Sequence, residues 1–449
     1  MAKGGIAVVG AGLAGLKAAS DLKRLGYTVD VFERSRLLGG KATSFEVNGI
    51  EVDNGQHVFL ACCTEFIEFM GGHDLAVGMG NVNSNESPLH LQPRFEAILL
   101  SRGKPPVRME ALNLPAPFHL SVALARSHQL GLKGRLEVMA AMLNLRRDPN
   151  PGESFATWLA RHHQGRRATA GFWEPFLVPA LNARMDEVAA SEAAFVIKTA
   201  FLNDPDGARF GYSRIPLGRI ANILAAKIDR VRLRSPVVGL ETESHAGSRS
   251  SARIGVRLKD SQPIWYDGVV LAVTPERLKA ILGSPKEWGV FGLDQFAHAA
   301  IVDVHLWLDM PPGTILGKES GFAALLDSPV QWVFEKSAPS GETYVCCSMS
   351  AAGDLVSRRS EDLVSRALEE LTAVLPAIGG VKLLRGAATR DRDATFVPSI
   401  GLVRPGPFTT APRVTVAGSW TDTGWPATME SAVRSGRQAA EVLHGAIAA

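Results

Sequence analysis

The chain has 449 residues, more than a single hydrophobic core usually organises, so two domains are expected. Its apolar content of 46% and charged content of 21% are typical of a globular protein. A formal net charge of +3 lacks the basic excess of nucleic-acid-binding proteins, so no nucleic-acid partner is predicted. No secretory signal pattern and no run of about 18 apolar residues occurs, which favours a cytoplasmic location.

The first elements in chain order form a βαβ unit. The apolar run at residues 6–9 predicts a buried parallel strand. Residues 13–25 have helical periodicity and stop at Gly26, and residues 28–32 predict the second strand. A hairpin is expected around Asn48-Gly49, followed by an amphipathic helix near Cys62.

Helical patterns dominate from about residue 81 to residue 214, and strand patterns return afterwards. The predicted helices are residues 118–145, 155–163, 186–202 and 426–443, with another beginning at Thr274-Pro275. The predicted strands are residues 232–242, 252–258, 265–273, 301–308 and 414–418. We therefore expect a mixed α/β chain with a discontinuous nucleotide-binding domain (1–80, 215–290 and 385–449) and a second domain (81–214 and 291–384).

The cysteines and histidines do not have the spacing of a metal or redox site. Cys62-Cys63 and Cys346-Cys347 are adjacent pairs without the two-residue gap of such motifs, so buried, reduced cysteines are expected. His162-His163 and Glu174 have no third ligand at a helical spacing. No metal site is predicted.

The strongest chemical motif is the glycine loop at residues 10–15, GAGLAG. Its pattern G-x-G-x-x-G lies between a predicted strand and helix, where free helix N–H groups can bind a pyrophosphate. Glu33 ends the second strand, where a carboxylate can bind a ribose diol and would repel the 2′-phosphate of NADP. The alternative is a structural turn with an unrelated surface glutamate. The dinucleotide-binding candidates here are Gly10, Gly12, Leu13, Ala14, Gly15, Glu33 and Arg34.

Motifs near both ends of the chain distinguish FAD from NAD. Gly39-Gly40-Lys41 and Asp53-Asn54-Gly55-Gln56-His57 follow the βαβ unit, and Gly418, Gly424 and residues 429–433 (MESAV) lie near the other end. This arrangement resembles the FAD-dependent amine oxidase and carotenoid desaturase superfamily. The resemblance implies a Rossmann-type FAD-binding domain interleaved with a substrate domain of antiparallel sheet plus helices. It adds as cofactor-binding candidates Gly39, Gly40, Lys41, Gly55, Gln56, His57, Val238, Gly418, Ala427, Thr428 and Met429.

The predicted final helix can serve as part of a flavin site. Pro426 suits the first turn of a helix, which would leave the N–H groups of Ala427, Thr428 and Met429 free. Aimed at the flavin pyrimidine, they would stabilise negative charge in the reduced ring. An ordinary capped surface helix would fit the proline equally well.

Three segments indicate one particular group within this superfamily. Residues 418–430, 53–57 and 172–182 are similar to the squalene-associated FAD-dependent desaturases, a group of hydroxysqualene dehydroxylases in hopanoid and squalene biosynthesis. Ser419 departs from the Asp that is common in this group, and Lys41 departs from the Arg that is frequent in the wider superfamily. The resemblance implies a C30 isoprenoid substrate, an electron donor that the sequence does not identify, and a functional link to squalene-synthase-like enzymes.

Other functions remain open at this point. A carotenoid-type, phytoene-like desaturase or isomerase would use the same cofactor. A non-redox prenyl-lipid escort protein has the same fold, although the intact glycine loop and Glu33 argue against it. An amine oxidase is disfavoured because the chain near residue 427 has no cysteine for a covalent flavin link and lacks the tyrosines of an aromatic cage.

Loss of an allylic hydroxyl needs an acid, and a C30 substrate comes from lipid. The acid candidates are His57, Asp204 and Asp206, although Asp204 and Asp206 also suit a solvated turn. Residues 118–145 mix leucines with basic residues, which predicts peripheral contact with the inner face of the cytoplasmic membrane. The alternative is a pair of helices packed on their own core.

Overall fold

A computed structural model of the chain describes residues 3–47, 49–72, 87–243, 253–316, 321–337 and 341–449. Three predicted features lie outside these ranges: Asn48 in the hairpin, the domain boundary between residues 80 and 81, and residue 252 at the start of a strand. Within the described residues, no helix is long and apolar enough to cross a membrane.

The first of two large sheets has five strands, all of whose pairs are parallel, and we call it the parallel sheet. Its apolar strands are buried on both faces, as parallel sheets require. The helices Leu13–Arg24 and Met429–Ala448 pack against it and against each other. In spatial order its strands are Arg230–Arg232, Thr28–Phe32, Gly5–Val9, Gly268–Leu271 and Val414–Val416.

The second large sheet has seven strands, and we call it the mixed sheet because one pair is parallel. One face of the strand His298–Leu308, which lies next to the edge strand, presents Val302, Val304 and Leu306 to the helix Ser360–Val374. The opposite face carries polar and aromatic residues. Its strands in order are Leu383–Phe396, His298–Leu308, Thr343–Met349, Trp332–Ser337, Phe322–Leu325, Glu96–Leu100 and Val107–Glu110.

A layer of helices packs on the aromatic part of the mixed sheet and forms the largest buried cluster with it. The remaining helices are Thr64–Gly71, Ser121–Arg126, Gly131–Asn144, Phe155–Arg161, Arg166–Ala168, Glu174–Leu181, Ala190–Ile197, Leu217–Ala226 and Pro275–Leu282. Short 3₁₀ turns are Gly40–Ala42, Phe118–Leu120, Pro285–Trp288 and Pro376–Ile378, and π turns are Thr169–Trp173 and Lys198–Leu202.

Three small sheets complete the fold. The predicted hairpin forms from antiparallel strands Ser44–Val47 and Ile50–Asp53. The other two sheets have three strands each: Val237–Thr242 with Ile254–Leu258 and Ile264–Tyr266, and Val58–Leu60 with Phe210–Ser213 and Leu89–Leu91.

The predicted fold class is confirmed, with several local differences. The predicted helix 118–145 is interrupted: one helical segment ends at Arg126, and the next begins at Gly131, which adopts a positive φ of 64°. The predicted strand 232–242 divides between two sheets, and the predicted strand 265–273 is interrupted at Asp267. The prediction that all four cysteines are buried is wrong for Cys62 and Cys63, which are half-buried; all four are free thiols.

The domain ranges remain a proposal, although the sheets bear on one of their limits. Leu383–Phe396 was expected to begin the last part of the nucleotide-binding domain, yet it pairs along its length with His298–Leu308 in the mixed sheet. Residues after Phe396 lead into the parallel sheet at Val414–Val416.

Candidate functional site

The carboxyl ends of the parallel strands bring distant parts of the chain to one edge of the sheet. Gly10 follows the central strand, Glu33 follows its neighbour, and Gly418 follows the strand at the sheet's far side. The central strand is where the chain order reverses, and open α/β sheets bind ligands outside such a point.

Gly10 and Gly15 are required by packing within the protein. Gly10 has a φ of 102°, and a Cβ there would lie 2.3 Å from the carbonyl oxygen of Ala272. A Cβ on Gly15 would lie 1.9 Å from the carbonyl oxygen of Gly10. The first helix therefore touches the turn directly, and a substitution of Gly15 would test packing rather than ligand binding.

Gly12 differs from its two neighbours in the motif. Its φ of −73° suits any residue, and a Cβ there would come no closer than 3.8 Å to Gly40 Cα. The backbone N–H of Gly39 donates to the carbonyl of Ala11 at 2.9 Å, which holds the second glycine segment beside the first. Protein packing does not require glycine at position 12, but close approach of a pyrophosphate does. The residues present therefore fit a dinucleotide.

Glu33 is buried and holds the glycine loop in place. Its Oε2 accepts from the N–H of Ala11 at 2.8 Å, and its Oε1 accepts from the N–H of Ser35 at 2.7 Å. A carboxylate has about four acceptor positions, so capacity for a ribose diol remains. The next residue, Arg34, is exposed at the same edge of the sheet.

The final helix begins later than the sequence predicts. It starts at Met429, and Thr428 is its N-cap, whose side chain accepts from the N–H of Ser431 at 3.2 Å. The assignment of Pro426 to the first turn is therefore wrong, since the threonine hydroxyl stops the helix from extending backwards. Ala427 precedes the helix, and the free N–H groups at its start belong to Met429 and Glu430.

Glu430 is a structural residue that the sequence analysis missed. It is fully buried, and its carboxylate accepts from the N–H of Phe66 at 2.7 Å and that of Glu65 at 3.2 Å. Arg434 pairs with it at 2.7 Å. The glutamate thereby caps the helix Thr64–Gly71 and ties it to the final helix.

Gly418 and Val238 have different surroundings. The N–H of Gly418 donates to the hydroxyl of Ser435 at 2.9 Å, which fixes the end of the last parallel strand against the final helix. Val238 lies at a bulge in its strand and is 37% exposed. The structure thus leaves its side chain accessible.

The turn at residues 53–57, which we call the Asp53 turn, lies between the two large sheets. Asp53 is structural: its Oδ1 accepts from the hydroxyl of Ser44 at 2.6 Å and from the N–H of Leu217 at 2.8 Å, at the start of a helix. His57 Nδ1 lies 2.9 Å from the carbonyl of Gly55. Burial lowers the pKa of His57, opposed by the Asp53 carboxylate, so the neutral ring is favoured.

Asp303, on the strand His298–Leu308 of the mixed sheet, lies against this turn. It is 3% exposed; its Oδ1 is 3.5 Å from the N–H of Gln56, and a Cβ on Gly55 would lie 2.6 Å from its Oδ2. Burial raises the pKa of Asp303 to about 6, although hydrogen bonds from Ser348, Gln56 and Cys346 oppose the shift. A buried carboxyl group with a raised pKa in such a place is a functional candidate. The alternating sequence pattern predicts a half-buried antiparallel strand over residues 301–308 and gives no sign of a buried acid.

Further polar residues share the face of Asp303. His305 Nδ1 lies 2.7 Å from the hydroxyl of Tyr344, and its Nε2 lies 3.1 Å from that of Thr389. Burial lowers the pKa of His305 to about 4, helped by Lys336, so the ring is neutral near pH 7. These residues form a buried hydrogen-bonded group beside the Asp53 turn.

Lys41 connects the second glycine segment to the mixed sheet. Its Nζ lies 3.0 Å from the carboxylate of Asp391 and also contacts the carbonyl of Asp393. The lysine is half-exposed, and its pair with Asp391 joins the turn Gly40–Ala42 to the mixed sheet. Its proposed role near the cofactor is compatible with this position and stays a prediction.

Asp204 and Asp206 do not join the group around Asp303. Both are exposed, and Asp204 Oδ1 accepts from the N–H of Asp206 at 2.9 Å, as in a solvated turn. Asp206 pairs with Arg209 at 3.6 Å. This exposure does not favour either residue as an acid in a dry site, and their assignment as acid candidates stays a prediction.

Comparison with known proteins identifies the family. The model of flavin containing amine oxidoreductases matches residues 13–444. The chain belongs to this family. It is therefore an FAD-dependent oxidoreductase, and FAD is the cofactor that the glycine loop and the second glycine segment fit.

Several known proteins are similar to this chain over nearly its whole length. A hydroxysqualene dehydroxylase of Rhodopseudomonas palustris is 27% identical, and the alignment covers 97% of each chain. A 15-cis-phytoene desaturase of an Oncidium hybrid cultivar is 22% identical over 98% of this oxidoreductase and 77% of its own length. A putrescine oxidase structure superposes with a TM-score of 0.73, at 16% identity and over 98% and 99% of the two chains, which shows a shared fold.

The open position of Gly12 gives the first prediction. Gly12→Ala should lower the FAD content of purified protein at least about tenfold without unfolding it, because the methyl group would occupy only the space that a pyrophosphate needs. The flavin-to-protein absorbance ratio and the melting temperature measure the two effects. Gly445→Ala, a helical position with open space around it, is the control. Full flavin content in Gly12→Ala would contradict the assignment.

The second prediction concerns Glu33. Glu33→Gln should weaken FAD binding by about 1–3 kcal/mol, because charge-assisted hydrogen bonds to the ribose are lost while side-chain size is kept. Titration of deflavinated protein with FAD gives the affinity. Glu241→Gln, an exposed glutamate on another strand, is the matched control. Equal affinity in Glu33→Gln and wild type would place the ribose contact elsewhere.

The third prediction follows from the pKa of Asp303. Because its pKa is raised in the folded chain, the folded state binds this proton more tightly than the unfolded state does, and stability falls as the pH rises from about 4 to about 6. Asp303→Asn should remove this fall and raise the free energy of unfolding at pH 7 by up to about 3 kcal/mol. Denaturant unfolding at pH 4.5 and 7 tests it, with exposed Asp309→Asn as control. An unchanged pH dependence would show that another group titrates.

Proposed function

We propose that this oxidoreductase reduces hydroxysqualene to squalene. Removal of a hydroxyl from an allylic carbon is a two-electron reduction: the hydroxyl takes up one proton, the C–O bond breaks as water leaves, and hydride forms the new C–H bond. Reduced FAD supplies the hydride when it is bound. The protein must bind a long hydrocarbon, exclude water and hold the proton that the leaving hydroxyl requires.

The proposal rests on one observation: one face of the mixed sheet is polar at one side and aromatic at the other. In the paired registers, Asp303 lies opposite Ser348, which lies opposite Trp332. Residues directly opposite each other in antiparallel strands share a face, so this row runs from a buried acid to an aromatic ring. The neighbouring row runs from His305 through Cys346 and Phe334 to Phe322.

The aromatic side of this face suits a hydrocarbon. Trp332 packs against Phe210 at 5.2 Å and Phe322 at 5.9 Å between ring centroids, and Phe176 lies 6.3 Å away. These rings are buried in a cluster with the helical layer. Aromatic faces also stabilise positive charge, which an allylic substrate develops as its hydroxyl departs. A polyene or squalene chain matches such a surface; a small amine does not.

We assign the proton to Asp303 in this proposal. Burial raises the pKa of Asp303, so a fraction of this carboxyl group is protonated near neutral pH. It can therefore donate a proton to the leaving hydroxyl. His57 is disfavoured as the acid, because its lowered pKa favours the neutral ring. Asp204 and Asp206 are disfavoured by their exposure.

A phytoene-like desaturase or isomerase is the second candidate, favoured by the similarity to the phytoene desaturase. The same aromatic face would bind a carotenoid precursor, and electrons would flow in the opposite direction, into oxidised FAD. A buried acid is not needed to remove hydride from a hydrocarbon, so Asp303 favours the dehydroxylase. An escort protein would need no redox cofactor.

The substrate class implies where the protein acts. A C30 isoprenoid partitions into lipid, so we place the protein at the inner face of the cytoplasmic membrane as a peripheral protein. Its substrate would come from a squalene-synthase-like enzyme in squalene and hopanoid biosynthesis, and the electron donor is a partner still to be identified.

The direction of electron flow gives the fourth prediction. Anaerobically reduced protein mixed with hydroxysqualene should regain the oxidised flavin spectrum and yield squalene, with deuterium from flavin N5 on the carbon that lost oxygen. Asp303→Asn should slow this oxidation by about 10²–10⁴-fold, because proton donation is lost. Its rate should also lose the dependence on a group with a pKa near 6.

Exposed Asp309→Asn is the matched control and should react like wild type. Phytoene is offered to the oxidised protein in parallel. Reduction of flavin by phytoene, with no reaction of hydroxysqualene at the reduced protein, would overturn the dehydroxylase in favour of the desaturase.

A further inference from the structure

The helix Gly131–Asn144 has two apolar faces, and only one of them contacts the protein core. Gly134, Val138, Ala141 and Met142 are buried. Leu132, Leu136, Met139 and Leu143 are instead 74%, 59%, 46% and 55% exposed. We call these four exposed residues the leucine stripe.

The spacing of the leucine stripe makes it a continuous surface. At 3.6 residues per turn, its four side chains fall within an arc of about 60° on the helix and extend over about 17 Å. The buried residues of the same helix lie on the opposite side. A helix whose second apolar face meets water is unfavourable in a protein that remains in solution.

The stripe is bordered by positive charge. Lys133 lies beside Leu132 and its side chain is 92% exposed; Arg135 lies on the other side of the stripe. Arg146 and Arg147 are exposed directly after the helix. Glu137 is the one acidic residue between 131 and 147, and it pairs with Lys133 at 3.7 Å.

The preceding segment adds apolar surface. Leu112, Leu114 and Phe118 are exposed, Phe118 by 62%. The N–H of Leu112 donates to the carbonyl of His119 at 2.8 Å, so these residues lie close together. The two exposed apolar groups are connected by the helix Ser121–Arg126.

We infer that the leucine stripe is the face with which the protein docks on an anionic lipid bilayer. The helix would lie parallel to the membrane, with the stripe in the acyl boundary and the flanking cations at the headgroups. Apolar residues bordered by cations fit anionic lipid better than a protein partner, which would need matching acidic groups. The proposed function explains why docking would be useful, namely access to a lipid substrate. The docking surface itself is inferred from exposure and charge alone.

The test is flotation of FAD-loaded protein with vesicles of phosphatidylcholine alone or mixed with phosphatidylglycerol. Wild type should bind the mixed vesicles, and added salt should weaken binding. Leu132→Ser with Leu136→Ser should lower the partition coefficient at least about tenfold, since two leucine side chains no longer insert into the interface. Arg146→Gln with Arg147→Gln should lower it about fivefold per charge on mixed vesicles, with little effect on neutral ones.

Val403→Ser with Phe408→Ser is the matched control, because these residues are 68% and 64% exposed near the parallel sheet. Flavin content and melting temperature check that each variant folds. Wild type that binds neither vesicle, or a stripe variant that binds as well as wild type, would overturn the inference. Self-association in solution that the stripe variant abolishes would assign the stripe to a second copy of the chain instead. Because vesicle binding needs no substrate, its outcome is independent of the hydroxysqualene reaction.

Discussion

The close approach of the first helix to its neighbours is the constraint on which the site depends. Gly15 lies so near the carbonyl of Gly10 that no side chain fits between them. On the other side, a Cβ on Gly436 would lie 2.3 Å from the carbonyl of Ala14, so the final helix also packs directly on the first. Segments more than 400 residues apart are thereby fixed around one helix N-terminus. That terminus is where an anionic cofactor is best stabilised.

The second connection is made by a carboxyl group. Asp303 lies in the mixed sheet and contacts the Asp53 turn, which is itself anchored to the helix at Leu217. Burying an ionisable group here opposes stability near neutral pH, because the charged form loses its hydration. Such a cost is typical of functional sites, where stability is sacrificed for chemistry. The same contact places the acid at the junction of the two sheets.

Two separate apolar regions lie on the inner and outer sides of one helical layer. The aromatic side of the mixed sheet is buried under the helical layer, whereas the leucine stripe lies on the outer side of one of those helices. The helix Gly131–Asn144 thus belongs to both surfaces. Its inner residues pack in the same cluster as Trp332, so docking and substrate binding would share one structural layer.

Local patterns in the sequence determined the βαβ unit, the glycine loop, the hairpin and the family, because strand and helix periods and glycine turns are set by neighbouring residues. They also indicated the amphipathic character of residues 118–145. Only the tertiary structure showed that space is open around Gly12 but closed around Gly15. It also showed that the final helix begins at Met429 and that Leu383–Phe396 belongs to the mixed sheet. Asp303 could be recognised as a candidate only in the tertiary structure. Its partner Gln56 is 247 residues away in the chain, and no local sequence period encodes a contact across that distance.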